Sequence, residues 1–326
     1  MPKELTHLIV AAAAKRMFSE KHPRAVLRDH LESRENLLLF GSLIHDIPFY
    51  ASSTEQGNVV KDRGRLIHGI PLNDTLTPFR CLAAGYDEKR TPDIPALMAG
   101  ALAHRITDGV FHPFVYHYAG HDLARHFRLE TLMDIHVRKR QGRWLEKPVP
   151  EKDFYSSLNV ERTVLARYLS MFLGLGEDVI PEILKALNLH ALTMRLFRSR
   201  AAYLLFRVIS LFKSQEHRER RYLFYPPGMD FPAPFFDTAM PYRHPVTGES
   251  CAASLDTLVE TAVTRSCAAF EAMEIALSST DGSLAPFAES LPPMSLETGL
   301  DPSFGKTFHH TDLSLTIDRL VRGGAA

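Results

Sequence analysis

The amino-acid sequence predicts an all-α protein. Apolar residues recur at helical spacing through most of its 326 positions, no segment shows the sustained alternation of a strand, and no internal repeat occurs. Only two long stretches, 51–93 and 225–248, are dense in the proline and glycine that interrupt regular structure.

Thr6 is placed to cap a first helix over about 7–18, where Ala11 to Ala14 supply high helix propensity. Short helices follow over 24–31 and 35–40. Residues 51–93 carry Gly57, Gly64, Gly69, Pro71, Pro78 and Pro92, and an irregular connection is expected there. Asp93 suits the N-cap of a helix reaching about Phe111, with Pro113 as its stop. Gly120 precedes a helix ending near Arg138. Further helices are expected over 151–173, 178–188 and 189–213. The last of these carries Arg195, Arg198, Arg200, Arg207 and Lys213 around its circumference. That distribution fits a packed helix with extended arginine stems better than a helix lying on an anionic membrane. Residues 225–248 hold six prolines and read as a wrapping loop. A long helix is expected over 254–277 and mixed structure beyond it. The division expected from this order is a helical domain over 1–225 and a C-terminal extension over 226–326.

Lys plus Arg and Asp plus Glu each total 38, so the formal net charge is zero. This balance excludes a strongly basic nucleic-acid wrapper and an acidic solvating tail. Three cysteines without paired spacing exclude a disulfide scaffold and a cysteine-rich zinc finger. No apolar run approaches the roughly 20 residues of a membrane span. Leu8 to Ala14 after Lys3 has the look of a short signal peptide. However, Glu4 lies in the would-be basic region, and Lys15-Arg16 stands where small residues should precede cleavage. A soluble, cytoplasmic protein that keeps residues 1–16 is expected.

The chain has 16 histidines, six of them between His104 and His136. Two His-x-x-x-acid pairs occur, His104 with Asp108 and His126 with Glu130, and residues four apart share a helix face. Composition alone predicts about two such pairs, so spacing does not identify a site. Context adds to it: His104, Asp108 and His112 form one stripe, and His126, Glu130 and Asp134 another, on helices otherwise rich in Leu, Met and Ile. Buried imidazoles and carboxylates are costly unless paired or bound to metal. The other reading is a solvated polar face on each helix, with the acids paired to Arg105 or Arg128. His117 and His121, which share a face, read as surface groups or as supports behind a ligand, the His309-His310 pair as a polar tail pair, Trp144 as a packing anchor, and the basic run 217–221 as a solvated helix end.

Further words accompany the stripes: Leu5-Thr6-His7-Leu8-Ile9-Val10, Gly41-Ser42-Leu43-Ile44-His45-Asp46-Ile47-Pro48, Leu66-Ile67-His68-Gly69, and Phe111-His112-Pro113. In this order, with the two His-x-x-x-acid pairs, they resemble the zinc-dependent phospholipase C family, an all-helical fold shared with single-strand-specific zinc nucleases. The resemblance spans residues 5–134. It implies metal ligation by His7, Asp46, His68, His104, Asp108, His112, His126 and Glu130, with Asp108 bridging two ions and Asp46 also serving as general base. Asp134 matches an acid that orients a ligand. The implied cofactor is two or three Zn²⁺ ions, and the implied substrate a phospholipid or other phosphodiester, with a peripheral membrane contact compatible with it. Secreted members also use a processed amino terminus as a ligand. Here only six residues precede His7, which makes its site the weaker one.

The adjacent His45-Asp46 also looks like the dyad of HD-type phosphohydrolases, with His22 or His30 and Asp108 as further ligands. That reading leaves His104, His112, His126 and Glu130 unexplained. Imidazole and carboxylate donors without thiolate suit Zn²⁺, Mn²⁺ or Fe²⁺, and clustered divalent ions suit phosphoester hydrolysis. The competing functions are a nuclease of the same fold, which the neutral charge disfavours, and a helical protein that binds metal or lipid without turnover.

Overall fold

The computed structural model describes residues 3–69, 74–150, 154–210, 212, 219–227, 234–305 and 307–314. Pro71, Lys213 and the 217–218 part of the basic run lie outside them, as does the tail beyond 314. In order, the helices are α1 Glu4–Lys21, α2 Val26–Ser33, α3 Glu35–Gly41, α4 Glu55–Ile67, α5 Thr77–Lys89, α6 Asp93–Ala119 and α7 Leu123–Arg140. They continue with α8 Phe154–Ser157, α9 Arg162–Leu173, α10 Ile180–Leu196, α11 Arg200–Ser210 and α12 Pro234–Asp237. A two-stranded antiparallel hairpin, β1 Met240–Arg243 with β2 Ser250–Ala253, precedes α13 Leu255–Leu277 and α14 Ala285–Ser290. The all-α expectation holds.

Helix α6 is the axis of the fold and is buried along nearly its whole length. A helix apolar on all sides must be enclosed, and α1, α2, α3, α5, α7 and α13 enclose it. Helix α1 is itself buried from Glu4 to Ala14. Phe236, Met240, Leu258 and Phe270 share one core with Leu5, Leu97 and Phe114, so the core continues across residue 225.

The closest crossing is between α3 and α6. A Cβ on Gly100 would lie 2.0 Å from the Leu38 carbonyl oxygen, and one on Gly41 2.3 Å from that of Leu97. The two bare backbones therefore touch. This contact delivers the turn Ser42 to Asp46 against the middle of α6.

Several boundaries differ from expectation. Residues 51–93 are not irregular: α4 and α5 lie there. Thr54 caps α4 by accepting from the Gly57 amide at 3.1 Å, Gly64 is a packing point against Pro48, and Pro78 occupies the first turn of α5, where its missing N–H costs nothing. Pro113 lies inside α6 instead of ending it. Proline there frees the carbonyl of Gly109, and Gly299 packs onto that oxygen. With φ +70°, and with any Cβ falling 2.5 Å from the oxygen, only glycine suits this position. Lys3, not Thr6, is the N-cap of α1; the Asp134 carboxylate accepts from the Thr6 amide at 2.7 Å and hydroxyl at 2.6 Å.

The hairpin in the proline-rich stretch was too short to alternate visibly, with four residues per strand and Pro241 in the first. Asn188 does not interrupt α10, because an exposed asparagine costs a helix only a fraction of a kcal/mol. The break falls instead at 197–199. It separates Arg195 and Arg198 from Arg200 and Arg207, and the latter two, seven residues apart, share one face of α11. The expected full packing of that helix does not occur: Leu204, Leu205 and Val208 are exposed.

Candidate metal centre

Five elements supply the site. Helix α1 brings His7, the turn after α3 brings Asp46, and the C-cap of α4 is His68. Helix α6 carries His104, Asp108 and His112 in one stripe, and α7 carries His126 and Glu130. All eight side chains are buried. They fall into groups whose ligand atoms lie within 4.8 Å of one another: His7, Asp46 and His104; His68, His104 and Asp108; His112, His126 and Glu130. The first two share His104, and the α6 stripe leads from them to the third.

Distances define the contacts. Asp108 points one oxygen at His7 Nε2 (3.4 Å) and the other at His104 Nε2 (3.2 Å). Asp46 Oδ1 stands between His68 Nε2 at 3.4 Å and His104 Nε2 at 3.6 Å. Glu130 Oε1 lies 2.8 Å from His126 Nε2 and 3.8 Å from His112 Nε2.

The outer nitrogens are tied to backbone carbonyls. His104 Nδ1 donates to Ser42 O at 2.8 Å, His68 Nδ1 to Gly64 O at 2.7 Å, and His112 Nδ1 to Leu296 O. Each bond fixes a tautomer with the Nε2 lone pair directed inward, the arrangement a metal-binding imidazole requires. Facing inward without a hydrogen-bond partner are Nε2 of His7, His68, His104 and His112, Oδ1 of Asp46 and both oxygens of Asp108. Orphaned buried carboxylate oxygens cost several kcal/mol. A divalent cation removes that cost, so the donor set fits zinc.

The charges are strongly perturbed. Burial would raise the Asp108 carboxyl, but the His104 and His112 imidazoles outweigh it and hold it well below the usual range. Asp46 is lowered likewise, burial being overcome by His104 and His68. Burial depresses His104, yet Asp108 and Asp46 carry it up to about 8. His112 is pushed down to about 3, chiefly by burial. A stability consequence follows for zinc-stripped protein. A raised histidine stabilises the fold fully below its unfolded value of 6.5 and loses that contribution as pH rises through 8. Burial holds His112 and His45 low, and these gain stability over the same range. The His104 contribution is therefore read as the difference in unfolding free energy between chelator-treated wild type and His104→Gln. That difference should fall by roughly 2 kcal/mol between pH 6 and 8.5. A difference that does not change with pH in denaturant titrations would contradict the His104–Asp108 pairing.

Asp134 contacts no ligand imidazole. It holds the first turn of α1 through Thr6 and accepts from the Tyr225 hydroxyl. His45 stacks on His104 at 4.6 Å as a buried ring, while its neighbour Asp46 enters the site. His22 meets Glu271 at 3.1 Å, outside all three groups, so the HD-type arrangement is not assembled through it. The solvated-face reading also fails, because Asp108 and Glu130 are buried. His117 is buried and its Nδ1 donates to His310 O at 2.9 Å, while the His309 side chain is exposed; both tail amides donate to Pro245 O.

Sequence reasoning missed the supporting carbonyls of Ser42, Gly64 and Leu296, since every residue has one. It also missed Tyr116, whose ring lies 5.3 Å from His112 and 5.0 Å from His126. Leu296 matters most: its amide donates to His68 O at 3.1 Å while its carbonyl accepts from His112. The C-terminal segment thus spans both ends of the site.

Fold and site together define an all-helical protein with buried imidazole–carboxylate groups that could hold metal ions. Residues 6–175, just over half of the chain, match the family model described as zinc dependent phospholipase C. The chain belongs to that zinc-dependent family, and the match includes all eight residues. No curated protein and no solved structure matches it. Among the described residues, no helix is long and apolar enough to cross a membrane.

Proposed function

We propose that the protein is a zinc-dependent phosphodiester hydrolase acting on phospholipid. The observation that carries this reading is the inward aim of unpartnered Nε2 and carboxylate atoms from three helices and a turn, within a chain of this family. His7, Asp46, His68, His104 and Asp108 would hold one part of a cluster of two or three zinc ions, and His112, His126 and Glu130 the other. Bound zinc lowers the pKa of water and neutralises charge developing on phosphoryl oxygens.

The protein's own groups have separable tasks. Asp46, ionised because His104 and His68 outweigh its burial, accepts the proton of the attacking water at Oδ1. Asp108 keeps His7 and His104 at fixed separation through its two oxygens. The Ser42, Gly64 and Leu296 carbonyls hold the rings so that no reorientation is needed during reaction. Water attack at phosphorus breaks the phosphorus–oxygen ester bond, and the leaving oxygen takes up a proton.

The test is elemental analysis of the purified protein, followed by assays on phosphatidylcholine and on single-stranded DNA with and without chelator. Zinc at two or more per chain and chelator-sensitive release of phosphorylated headgroup are expected. Nucleotide release without lipid turnover would replace the substrate with a nucleic acid. Zinc without turnover of either would leave a binding protein.

A further inference from the structure

Helix α11 has two apolar faces, and only one of them is packed. Tyr203 and Phe206 turn inward onto Phe197, Phe224 and Ile135, with Phe206 stacked on Phe224 at 4.7 Å. The other face carries Leu204, Leu205, Val208 and, just beyond the helix, Phe212. Spacings of three and four residues keep Leu204, Leu205 and Val208 on one side, and Leu205 and Phe212 are 63% and 84% exposed. Leu192 and Leu196 of α10 are exposed as well. An exposed apolar ridge of this kind along α11 marks a docking site.

Charge identifies the occupant. From Ile183 to Lys213 the sequence holds Lys185, Arg195, Arg198, Arg200, Arg207 and Lys213 and no Asp or Glu, in a chain whose net charge is zero. Arg200 and Arg207, both exposed, are seven residues apart and flank the edge of the apolar face beside Leu204. An apolar face bordered by arginine, with no acid, suits the boundary between acyl chains and anionic headgroups.

The ridge is also tied to the metal centre. The Tyr225 amide donates to Phe197 O at 2.7 Å, and Lys3 Nζ lies 4.5 Å and 4.4 Å from the centroids of the Phe197 and Tyr225 rings. The Tyr225 hydroxyl meets Asp134, which binds Thr6 beside His7. We infer that the exposed face of α11 forms a docking ridge for the surface of an anionic phospholipid bilayer, with Leu204, Leu205, Val208 and Phe212 entering the interface and Arg200 and Arg207 meeting lipid phosphates. The inference deepens the phospholipid reading and rests on it for its biological sense, but docking requires no turnover.

The experiment is co-sedimentation of the full chain with vesicles of phosphatidylglycerol and phosphatidylcholine, and with phosphatidylcholine alone. Binding to the anionic vesicles is expected. The pair Leu205→Glu and Val208→Glu, at exposed positions where folding tolerates charge, should weaken it by about tenfold or more. Arg200→Glu and Arg207→Glu should each weaken it by about fivefold and remove the preference for anionic lipid. Hydrolysis of a soluble monomeric phosphodiester should be unchanged in all four variants, so a chain that sediments without turning over substrate separates failure of the hydrolase reading from failure of docking. Equal sedimentation of wild type and variants would overturn the inference. So would a wild type that ignores vesicles, whether monomeric or a dimer that Leu205→Glu dissociates; the dimer would make the ridge a contact between copies.

Discussion

Asp108→Asn should lower bound zinc and hydrolytic rate together, the rate by about a thousandfold or more. Asparagine keeps the volume but removes the charge and turns an N–H into a position where only acceptors are useful. Both Asp108 oxygens are buried without hydrogen-bond partners and face two different imidazoles, so no rotamer leaves the site intact. Asp134→Asn is the comparison. It touches Thr6 and Tyr225, not a ligand ring, and should cost about ten- to a hundredfold. Zinc content and rate measured on both variants decide the matter: equal losses would mean that Asp108 has no ligating role.

Gly100→Ala should destabilise the fold by about 3 kcal/mol and weaken zinc binding by about tenfold. Its Cβ would fall 2.0 Å from Leu38 O and 2.8 Å from both Gly41 Cα and the Ser42 nitrogen. These are backbone atoms and cannot rotate away, so α3 must retreat. The Ser42 carbonyl goes with it and releases His104 Nδ1. Gly142→Ala serves as control, since nothing lies within 4 Å of its added Cβ. Thermal unfolding and competitive chelator titration give the two numbers. Matching stabilities for the two variants would show that the crossing has slack.

The parts of the site legible in the sequence were those made of side chains with rare chemistry. Imidazole and carboxylate four residues apart, such as His104 with Asp108, occur about as often as composition predicts, and they became legible only in order with the words around His7, Asp46 and His68 that carry the family resemblance. The fold class was legible for a similar reason: helical periodicity survives local errors. What resisted reading depended on partners distant in sequence. Pro113 looked like a stop because Gly299, which accommodates its freed carbonyl, is far along the chain. Gly64 looked like a breaker because nothing in sequence announces Pro48 as its neighbour. Thr6 looked like a cap because Asp134 supplies the cap from another helix. On α11, the open face was hidden because the break at 197–199 separates it from Arg195 and Arg198.

The Leu296 contacts bear on the order in which the protein is made. His112 and Leu296 are separated by 184 positions, so at about 5–20 residues per second a ribosome needs roughly 10 to 40 s to go from one to the other. Once Glu130 is made, for the rest of that interval the nascent chain holds all eight imidazoles and carboxylates of the site, yet His112 lacks the carbonyl that fixes its ring. Metal captured early would meet an unfinished cage. Synthesis itself therefore sets a clock: the site is completed only as the segment carrying Leu296 emerges, and a polypeptide released before Leu296 would carry the eight side chains without the carbonyl that holds His112.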